Sequence, residues 1–228
     1  MRILFYTIIA FTLLTNFMVM QTKPHTYTML CLGDSYTIGE AVDAKDRFPS
    51  QLRTLLKKQH ISLAEPKIIA TTGWTTDELA TAIQDAQLDT HFDLVTLLIG
   101  VNNQYRGRDV ANYEKEFTTL LQMAIDFANN NKKHVVVVSI PDWGVTPFAA
   151  KDARGKVQIG KEIDVYNAVA KECCARKNIC FIDITAHSRN AETDASLLTT
   201  DELHPSGKMY AYWATQIANY FATVLPQQ

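Results

Sequence analysis

The sequence lacks the motifs that mark several large classes of binding protein. It has no block of about five or more basic residues and its formal net charge is −2, so nucleic-acid binding has no electrostatic support. Neither Gly-x-Gly-x-x-Gly nor a P-loop is present, which excludes the usual glycine-rich phosphate sites. There is no Cys-x-x-Cys pair, and the histidines show no metal-ligand spacing, so no metal or cofactor is indicated.

The four cysteines leave one pairing question open. Cys31 lies in an apolar run, where a cysteine is most simply a small buried hydrophobic residue. Cys180 follows the helical segment that contains Cys173 and Cys174. A disulfide between Cys180 and either of these two residues is therefore an alternative if the protein folds in an oxidising compartment.

The first residues differ in composition from the rest. Arg2 is followed by an uncharged, largely apolar run over 3–20, which is typical of a secretory signal. No small-x-small cleavage site is evident near 20–22, and the run approaches the length needed to cross a bilayer. We therefore expect a signal peptide or N-terminal membrane anchor over 1–22 and a globular domain over 26–228. The protein would be secreted or periplasmic, touching a membrane only through an uncleaved leader.

After the leader, short apolar runs alternate with amphipathic segments. Apolar runs predict strands at residues 27–32, 67–70, 94–99, 135–140 and 180–184. Helical periodicity appears between them, as where Phe48, Leu52 and Leu56 share one face. This order predicts an α/β fold, in which helices cover both sides of a five-stranded parallel sheet in three α/β/α layers. A long loop is predicted at 141–160, and loops of this length are often functional.

Polar residues follow several predicted strands at the point where each ends. Ser35 follows the first strand, Gly73 the second and Asn102 the third, while Asp201 and His204 follow the fifth. The carboxyl ends of parallel strands share one sheet edge, so these residues should converge. A serine becomes a nucleophile when a histidine takes its proton, and the histidine needs an acceptor on its other nitrogen. Asp201 is close enough in sequence to supply that acceptor.

The same loops contain donors for a developing oxyanion. The backbone N–H groups of Ser35 and Gly73 and the side-chain amide of Asn102 suit this role. Each residue taken alone also has a structural explanation. Serine can cap the following helix, glycine and asparagine form turns, and an aspartate or histidine is common near a helix start. Their joint occurrence at the same end of successive strands favours catalysis.

Four sequence blocks resemble those of the SGNH (GDSL) hydrolases, and the resemblance extends from about Met29 to the last helix. The blocks are Gly33-Asp34-Ser35, Gly73, Gly100-Val101-Asn102-Asn103 and Asp201-Glu202-Leu203-His204. The resemblance implies a flavodoxin-like three-layer fold and ester hydrolysis through an acyl-enzyme, without a metal or cofactor. It implies that Ser35 is the nucleophile and an oxyanion donor, Gly73 and Asn102 are oxyanion donors, His204 is the base and Asp201 its partner.

Two positions qualify the comparison with hydrolase families. The third block commonly reads Gly-x-Asn-Asp, whereas this chain has Asn103 at the last position. Thr37 stands where the Gly-x-Ser-x-Gly elbow of ordinary α/β-hydrolases needs its second glycine, so that family is excluded at this serine.

The sequence therefore predicts an exported serine esterase or acylhydrolase acting on a small-molecule, glycan or lipid ester. A carbohydrate (acetyl) esterase would need an open polar cleft with aromatic platforms, for which Trp74, Tyr105 and Trp143 are candidates. A lysophospholipase or thioesterase would need an apolar acyl groove, to which residues 145–150 could contribute. The alternative from another class is a non-catalytic, flavodoxin-like module that binds a small ligand.

Overall fold

The central sheet has five parallel strands in the order β2-β1-β3-β4-β5. The computed structural model describes residues 25–88 and 91–226, so the predicted leader at 1–22 lies outside the described residues. The strands are β1 (Met29–Gly33), β2 (Lys67–Ala70), β3 (Leu94–Leu98), β4 (Val135–Val138) and β5 (Cys180–Ile182). All five predicted strands are confirmed, with ends that differ by one or two residues.

Helices flank the sheet on both sides, which confirms the predicted three-layer fold. They are α1 (Ser35–Ile38), α2 (Phe48–Lys58), α3 (Thr76–Asp85), α4 (Val101–Tyr105), α5 (Val110–Phe127), α6 (Gly155–Lys177), α7 (Thr185–Ser188) and α8 (Gly207–Val224). Helix α2 packs on α8, while α3 and α6 both pack on α5. Within residues 25–88 and 91–226, no helix has the length and apolar character needed to cross a bilayer.

Burial explains why the central strands are so uniformly apolar. Every residue of β1, β3 and β4 is buried, because helices cover both faces of the sheet there. The edge strands β2 and β5 are mostly half-buried. Strand β1 lies between β2 and β3, so the chain changes direction across the sheet after β2. Ligand sites of open α/β sheets form beside the carboxyl ends of the strands at such a point.

The predicted long loop at 141–160 is shorter in the structure. It contains two 3₁₀ turns, Trp143–Val145 and Pro147–Lys151, and α6 begins at Gly155. The first turn of α6 faces solvent, as the exposed Val157 shows, so apolar periodicity did not mark it. Helices α1 and α4 were not predicted because four or five residues are too few to show a helical period.

All four cysteines are free thiols. Cys31 is buried in β1, as expected, and burial raises the pKa of its thiol to about 12. The alternative of a disulfide between Cys180 and Cys173 or Cys174 is not realised in the structure. Burial also raises the pKa of the Cys174 thiol to about 12, which makes it a weak nucleophile.

Asp34, rather than Ser35, caps the short helix that follows β1. Its Oδ1 accepts a hydrogen bond from the Tyr36 N–H at 3.0 Å, and Ser35 is the first helical residue. The Asp34 carboxyl is fully buried, and its Oδ2 has no hydrogen-bond partner among the described residues. Burial raises the pKa of Asp34 to about 7, outweighing the opposite effect of the Tyr36 hydrogen bond.

We expect Asp34→Asn to remove a pH dependence of stability. Below pH ~4 the Asp34 carboxyl of the wild type is protonated in both the folded and the unfolded protein. Between pH ~4 and ~7 the carboxyl ionises only in the unfolded chain, so folding becomes progressively less favourable as the pH rises. The free energy of unfolding should fall over this range by up to about 4 kcal/mol through Asp34. Asparagine keeps the acceptor for Tyr36 and cannot ionise, so its advantage over wild type should grow with pH.

Urea denaturation of both proteins at pH 4, 5.5, 7 and 8 measures this difference. A gap between variant and wild type that stays constant across the series would contradict the raised pKa.

Candidate active site

Ser35 lies at the start of α1, directly beyond the end of β1. Its side chain lines a surface cleft although the residue is only 5% exposed. Gly33 permits the tight connection, since a Cβ atom there would lie 2.1 Å from the Thr37 hydroxyl oxygen and 2.4 Å from the Leu98 carbonyl oxygen. The absence of a side chain at Gly33 thus lets α1 begin against the neighbouring strand β3.

Asp201 and His204 form a hydrogen-bonded pair in the loop before α8. Asp201 Oδ2 lies 2.7 Å from His204 Nδ1. The other carboxylate oxygen, Oδ1, accepts hydrogen bonds from the backbone N–H groups of Leu203 and His204, both at 2.9 Å, and from the Thr199 hydroxyl at 2.6 Å. The carboxylate is therefore held in one position by four donors.

These contacts set the charge of Asp201. Partial burial by itself raises the pKa of the carboxyl, but the hydrogen bonds from Thr199, His204 and Leu203 lower it to about 2. An ionised carboxylate can only accept, so His204 Nδ1 is the donor in the pair. This fixes the ring tautomer and leaves Nε2 as the nitrogen that can take up a proton.

Aromatic packing places the His204 ring near Ser35. The ring packs edge-on against Tyr36, the residue after Ser35, with 5.6 Å between ring centroids. Tyr36 in turn packs against Trp213 of α8, with 6.3 Å between centroids. His204 and Ser35 line the same cleft, and no hydrogen bond joins them in this structure. Such bonds commonly tighten only in the substrate complex.

Three donors at the cleft are available for an anion. Gly73 has a left-handed φ of +86°, which turns the chain sharply after β2. Neither the Ser35 N–H nor the Gly73 N–H donates a hydrogen bond to any residue in the described part of the chain. Asn102 Nδ2 donates one hydrogen to the Trp74 carbonyl oxygen at 2.9 Å, which orients the amide and leaves its second N–H free.

Arg106 connects two of these donors. Its Nη2 donates to the Gly73 carbonyl oxygen at 2.6 Å, and its Nη1 lies 3.2 Å from Glu78 Oε1 on α3. Arg106 directly follows α4, the helix that contains Asn102. The Gly73 turn is thereby tied to the helix that supplies the amide donor, although sequence reasoning did not single out Arg106.

Asn103 does not line the cleft but joins α4 to α3. Its Oδ1 accepts from the Thr76 N–H at 3.0 Å, and its Nδ2 donates to the Thr76 hydroxyl at 2.6 Å. That hydroxyl donates in turn to the Glu116 carboxylate. An ionised aspartate at 103 could not donate to Thr76, so the asparagine matches this particular network. The departure from Gly-x-Asn-Asp thus concerns helix packing.

The cleft is small and largely apolar, with a volume of about 160 Å³. Its lining residues are Ser35, Tyr36, Thr72, Gly73, Val101, Asn102, Tyr105, Trp143, Phe148, Leu203 and His204. Four of the five predicted site residues are among them, and Asp201 stands behind His204. Sequence reasoning missed Thr72, Val101 and Leu203 as lining residues, although each is adjacent to a predicted site residue. Trp74, suggested as an aromatic platform, does not line the cleft.

The described part of the chain has no cluster of metal-ligating side chains. Across residues 25–88 and 91–226, no group of three or more His, Cys, Asp or Glu side chains is arranged to hold a metal ion.

The fold is similar to those of solved hydrolases. A lipase/acylhydrolase from Enterococcus faecalis matches with a TM-score of 0.71 at 18% identity, over 89% of this chain and 99% of its own. The psychrotrophic esterase EstA from Pseudoalteromonas sp. matches at 0.65 and 15% identity, over 87% and 98%. Axe2, an acetylxylan esterase from Geobacillus stearothermophilus, matches at 0.64 and 17% identity, over 90% and 98%. At these identities the likeness concerns the fold.

Sequence comparison identifies the family. Among curated protein sequences, none matches this chain. The profile of the GDSL-like Lipase/Acylhydrolase family matches residues 31–212, which include Ser35, Gly73, Asn102, Asp201 and His204. Because this match spans most of the chain, the protein belongs to the GDSL-like lipase/acylhydrolase family and is a hydrolase that acts on ester bonds.

Proposed function

We propose that this hydrolase cleaves carboxylic esters through an acyl-enzyme on Ser35. One observation supports this most directly. The His204 ring, hydrogen-bonded through Nδ1 to the ionised Asp201, lines the same cleft as the Ser35 side chain. The unused donors of Ser35, Gly73 and Asn102 border that cleft. A module that only bound a ligand would have no use for a histidine held in this tautomer beside a serine.

Acylation uses His204 as the base. Nε2 takes the proton from the Ser35 hydroxyl as its oxygen attacks the ester carbonyl carbon, and the carbonyl π electrons move onto oxygen. The oxyanion accepts hydrogen bonds from the Ser35 N–H, the Gly73 N–H and the Asn102 amide. Each such donor typically contributes on the order of 10²–10³ in rate. Asp201 stabilises the imidazolium that forms.

Collapse of this intermediate completes the first half of the reaction. The carbon–oxygen bond to the alcohol breaks, and His204 Nε2 returns its proton to the leaving oxygen. Water then enters, loses a proton to His204 and attacks the acyl carbon. The second tetrahedral intermediate breaks its bond to Ser35, whose oxygen recovers the proton, and a carboxylic acid is released.

Ser35→Ala should abolish turnover of an activated short-chain ester, p-nitrophenyl butyrate. Without the nucleophile, kcat should fall by about 10⁴-fold or more, because the acyl-enzyme cannot form. A fluorophosphonate probe should label the wild-type protein on the peptide that contains Ser35 and should not label the variant. Mass spectrometry of the labelled peptides locates the adduct.

Ser62→Ala is the matched control. Ser62 lies near the amino-terminal end of β1, away from the cleft, where its carbonyl oxygen accepts a hydrogen bond from the Tyr27 N–H. It should keep wild-type turnover and labelling. Equal activity of Ser35→Ala and wild type, or an adduct on another residue, would refute the mechanism.

Asp201→Asn tests the role of the carboxylate. Asparagine can still accept from the Leu203 and His204 N–H groups, but its amide donates to His204 Nδ1 and leaves the proton on Nε2. That tautomer cannot accept the Ser35 proton, so kcat should fall by about 10²- to 10⁴-fold with little change in KM. Steady-state kinetics on p-nitrophenyl butyrate measures both parameters.

Asp194→Asn provides the comparison, since Asp194 precedes α8 in the same loop region. Hydrogen bonds from Lys208 and Ser196 lower the pKa of its carboxyl to about 2 as well, but it does not line the cleft. We expect its kcat to remain within about twofold of wild type. A similar loss in both variants would show that the loop needs its negative charges for folding, not for the His204 tautomer.

We also propose that the protein is exported, on the basis of Arg2 and the uncharged run at 3–20. Residues 1–24 fused to a reporter that is active only outside the cytoplasm should give activity, and Leu13→Arg with Leu14→Arg should abolish it. Reporter activity that is absent, or that survives the two arginines, would contradict export. The N-terminal mass of the mature protein then distinguishes a cleaved leader from an anchor.

A further inference from the structure

We propose that the cleft selects esters with compact apolar acyl groups, about four to six carbons or one benzene ring in size, and that Trp143 sets this limit. The proposal rests on the proposed function, because it requires an acyl group on Ser35. It also favours an apolar acyl site over the polar sugar site that an acetyl-carbohydrate esterase would need.

Five apolar or aromatic side chains line the cleft and are called the acyl wall here. Its members come from three parts of the chain: Val101 and Tyr105 from α4, Trp143 and Phe148 from the 3₁₀ turns after β4, and Leu203 from the loop before α8. The Trp143 ring packs edge-on against Tyr105 at 5.3 Å and Phe148 at 6.1 Å between centroids. A hydrocarbon or aromatic group could displace water from this wall without leaving a buried polar group unpaired.

The cleft is open to solvent on one side, and its volume gives the size of the group that it can cover. The space is about 160 Å³. An apolar protein cavity of roughly 150 Å³ accommodates one benzene molecule. A butyryl, hexanoyl or benzoyl group therefore fits against the wall, whereas a longer chain must leave the cleft and return part of its apolar surface to water.

Burial and a hydrogen bond restrain Trp143 in its place at the cleft. The residue is 2% exposed, and its Nε1 donates to Gln104 Oε1 at 2.8 Å. Gln104 Nε2 donates to the Glu162 carboxylate at 2.6 Å. Since a carboxylate only accepts, Glu162 forces the Gln104 amide to present its oxygen to the indole. Gln104 is therefore a positioning residue for the wall.

Arg154 restrains the same rings. Its guanidinium carbon lies 5.4 Å from the centre of the Trp143 ring and 5.9 Å from that of Tyr105, within the range of a cation–π contact. Arg154 is itself fixed by Asp152, at 2.7 Å, and by Glu162, at 3.1 Å. Two carboxylates thus hold the guanidinium in place, and the indole is restrained by both a hydrogen bond and a cation.

We place the acyl half of the ester against this wall because the wall is connected to α4. The leaving oxygen must meet the His204 ring, which returns the proton, whereas the carbonyl oxygen must meet Asn102 on α4. Trp143 is hydrogen-bonded to Gln104, two residues after Asn102 on the same helix. The wall is thereby anchored to the element that holds the carbonyl group.

Chain-length profiles test the proposal. With p-nitrophenyl esters from acetate to decanoate, plus the benzoate, wild-type kcat/KM should peak at butyrate to hexanoate, accept benzoate and fall at least about tenfold by decanoate. Trp143→Ala should move the peak to octanoate or longer and raise kcat/KM on decanoate about tenfold, with acetate changed less than about threefold. Gln104→Met, which keeps the side-chain volume but removes both hydrogen bonds, should broaden the profile.

Phe92→Ala is the control for loss of an aromatic ring. Phe92 packs against Phe127, and its N–H donates to the Phe127 carbonyl oxygen. Phe92 lies just before β3, at the amino-terminal ends of the strands and so away from the cleft. Its chain-length profile should match wild type. Circular dichroism and thermal melts identify any variant that fails to fold, and Trp143→Phe then replaces Trp143→Ala with a smaller expected shift.

The outcomes separate this proposal from the proposed function. An active wild type whose profile is unchanged by Trp143→Ala or Trp143→Phe overturns the acyl wall alone. The acyl wall is also overturned if kcat/KM, measured on butyrate esters of different alcohols, shows that the size preference follows the alcohol and not the acyl group. A wild type that hydrolyses none of these esters overturns the proposed function itself.

Discussion

The pairing of β1 with strands on both of its sides is the constraint on which the site depends. Gly33, the last residue of β1, is in register with Ala70 at the end of β2 and with Leu98 at the end of β3. Parallel strands in this register end at the same level, so the loops that follow them lie together at one edge of the sheet. Ser35, Gly73 and Asn102 are therefore neighbours although the chain between them includes two crossovers. The sheet thus brings together the proposed nucleophile and the proposed anion donors.

His204 needs a different explanation, because β5 lies at the far edge of the sheet from β2. Helix α8, which follows His204, packs on α2 and so lies across one face of the sheet. The Tyr36 ring packs against both His204 and Trp213 of α8. His204, the proposed base, is thus positioned by aromatic side chains that also belong to the core. Tyr36, buried beside Ser35, links the packing of the core to the geometry of the site.

Hydrogen bonding divides the site into satisfied and unsatisfied groups. Asp201 is saturated by neighbouring donors, which lowers its pKa and holds His204 in one tautomer. The Ser35 and Gly73 N–H groups, in contrast, have no partner in the described part of the chain. Most polar groups near a protein interior are paired, so two unpaired donors facing one cleft are unusual. Fixed donors of this kind need little rearrangement when negative charge develops on a substrate.

By itself, the sequence determined the order of the strands and the longer helices, and it indicated which residues converge at the carboxyl edge of the sheet. Uniformly apolar runs predicted all five strands, and apolar periodicity predicted α2, because burial leaves a pattern that extends over many residues. The one-turn helices α1 and α4 left no such pattern, nor did the solvent-facing start of α6. Only the tertiary structure decided that Asp34 caps α1, that Asn103 joins two helices and that Trp143 is held by Gln104 and Arg154. These are contacts between residues distant in sequence or choices among equivalent local hydrogen bonds, and their energies depend on the folded surroundings.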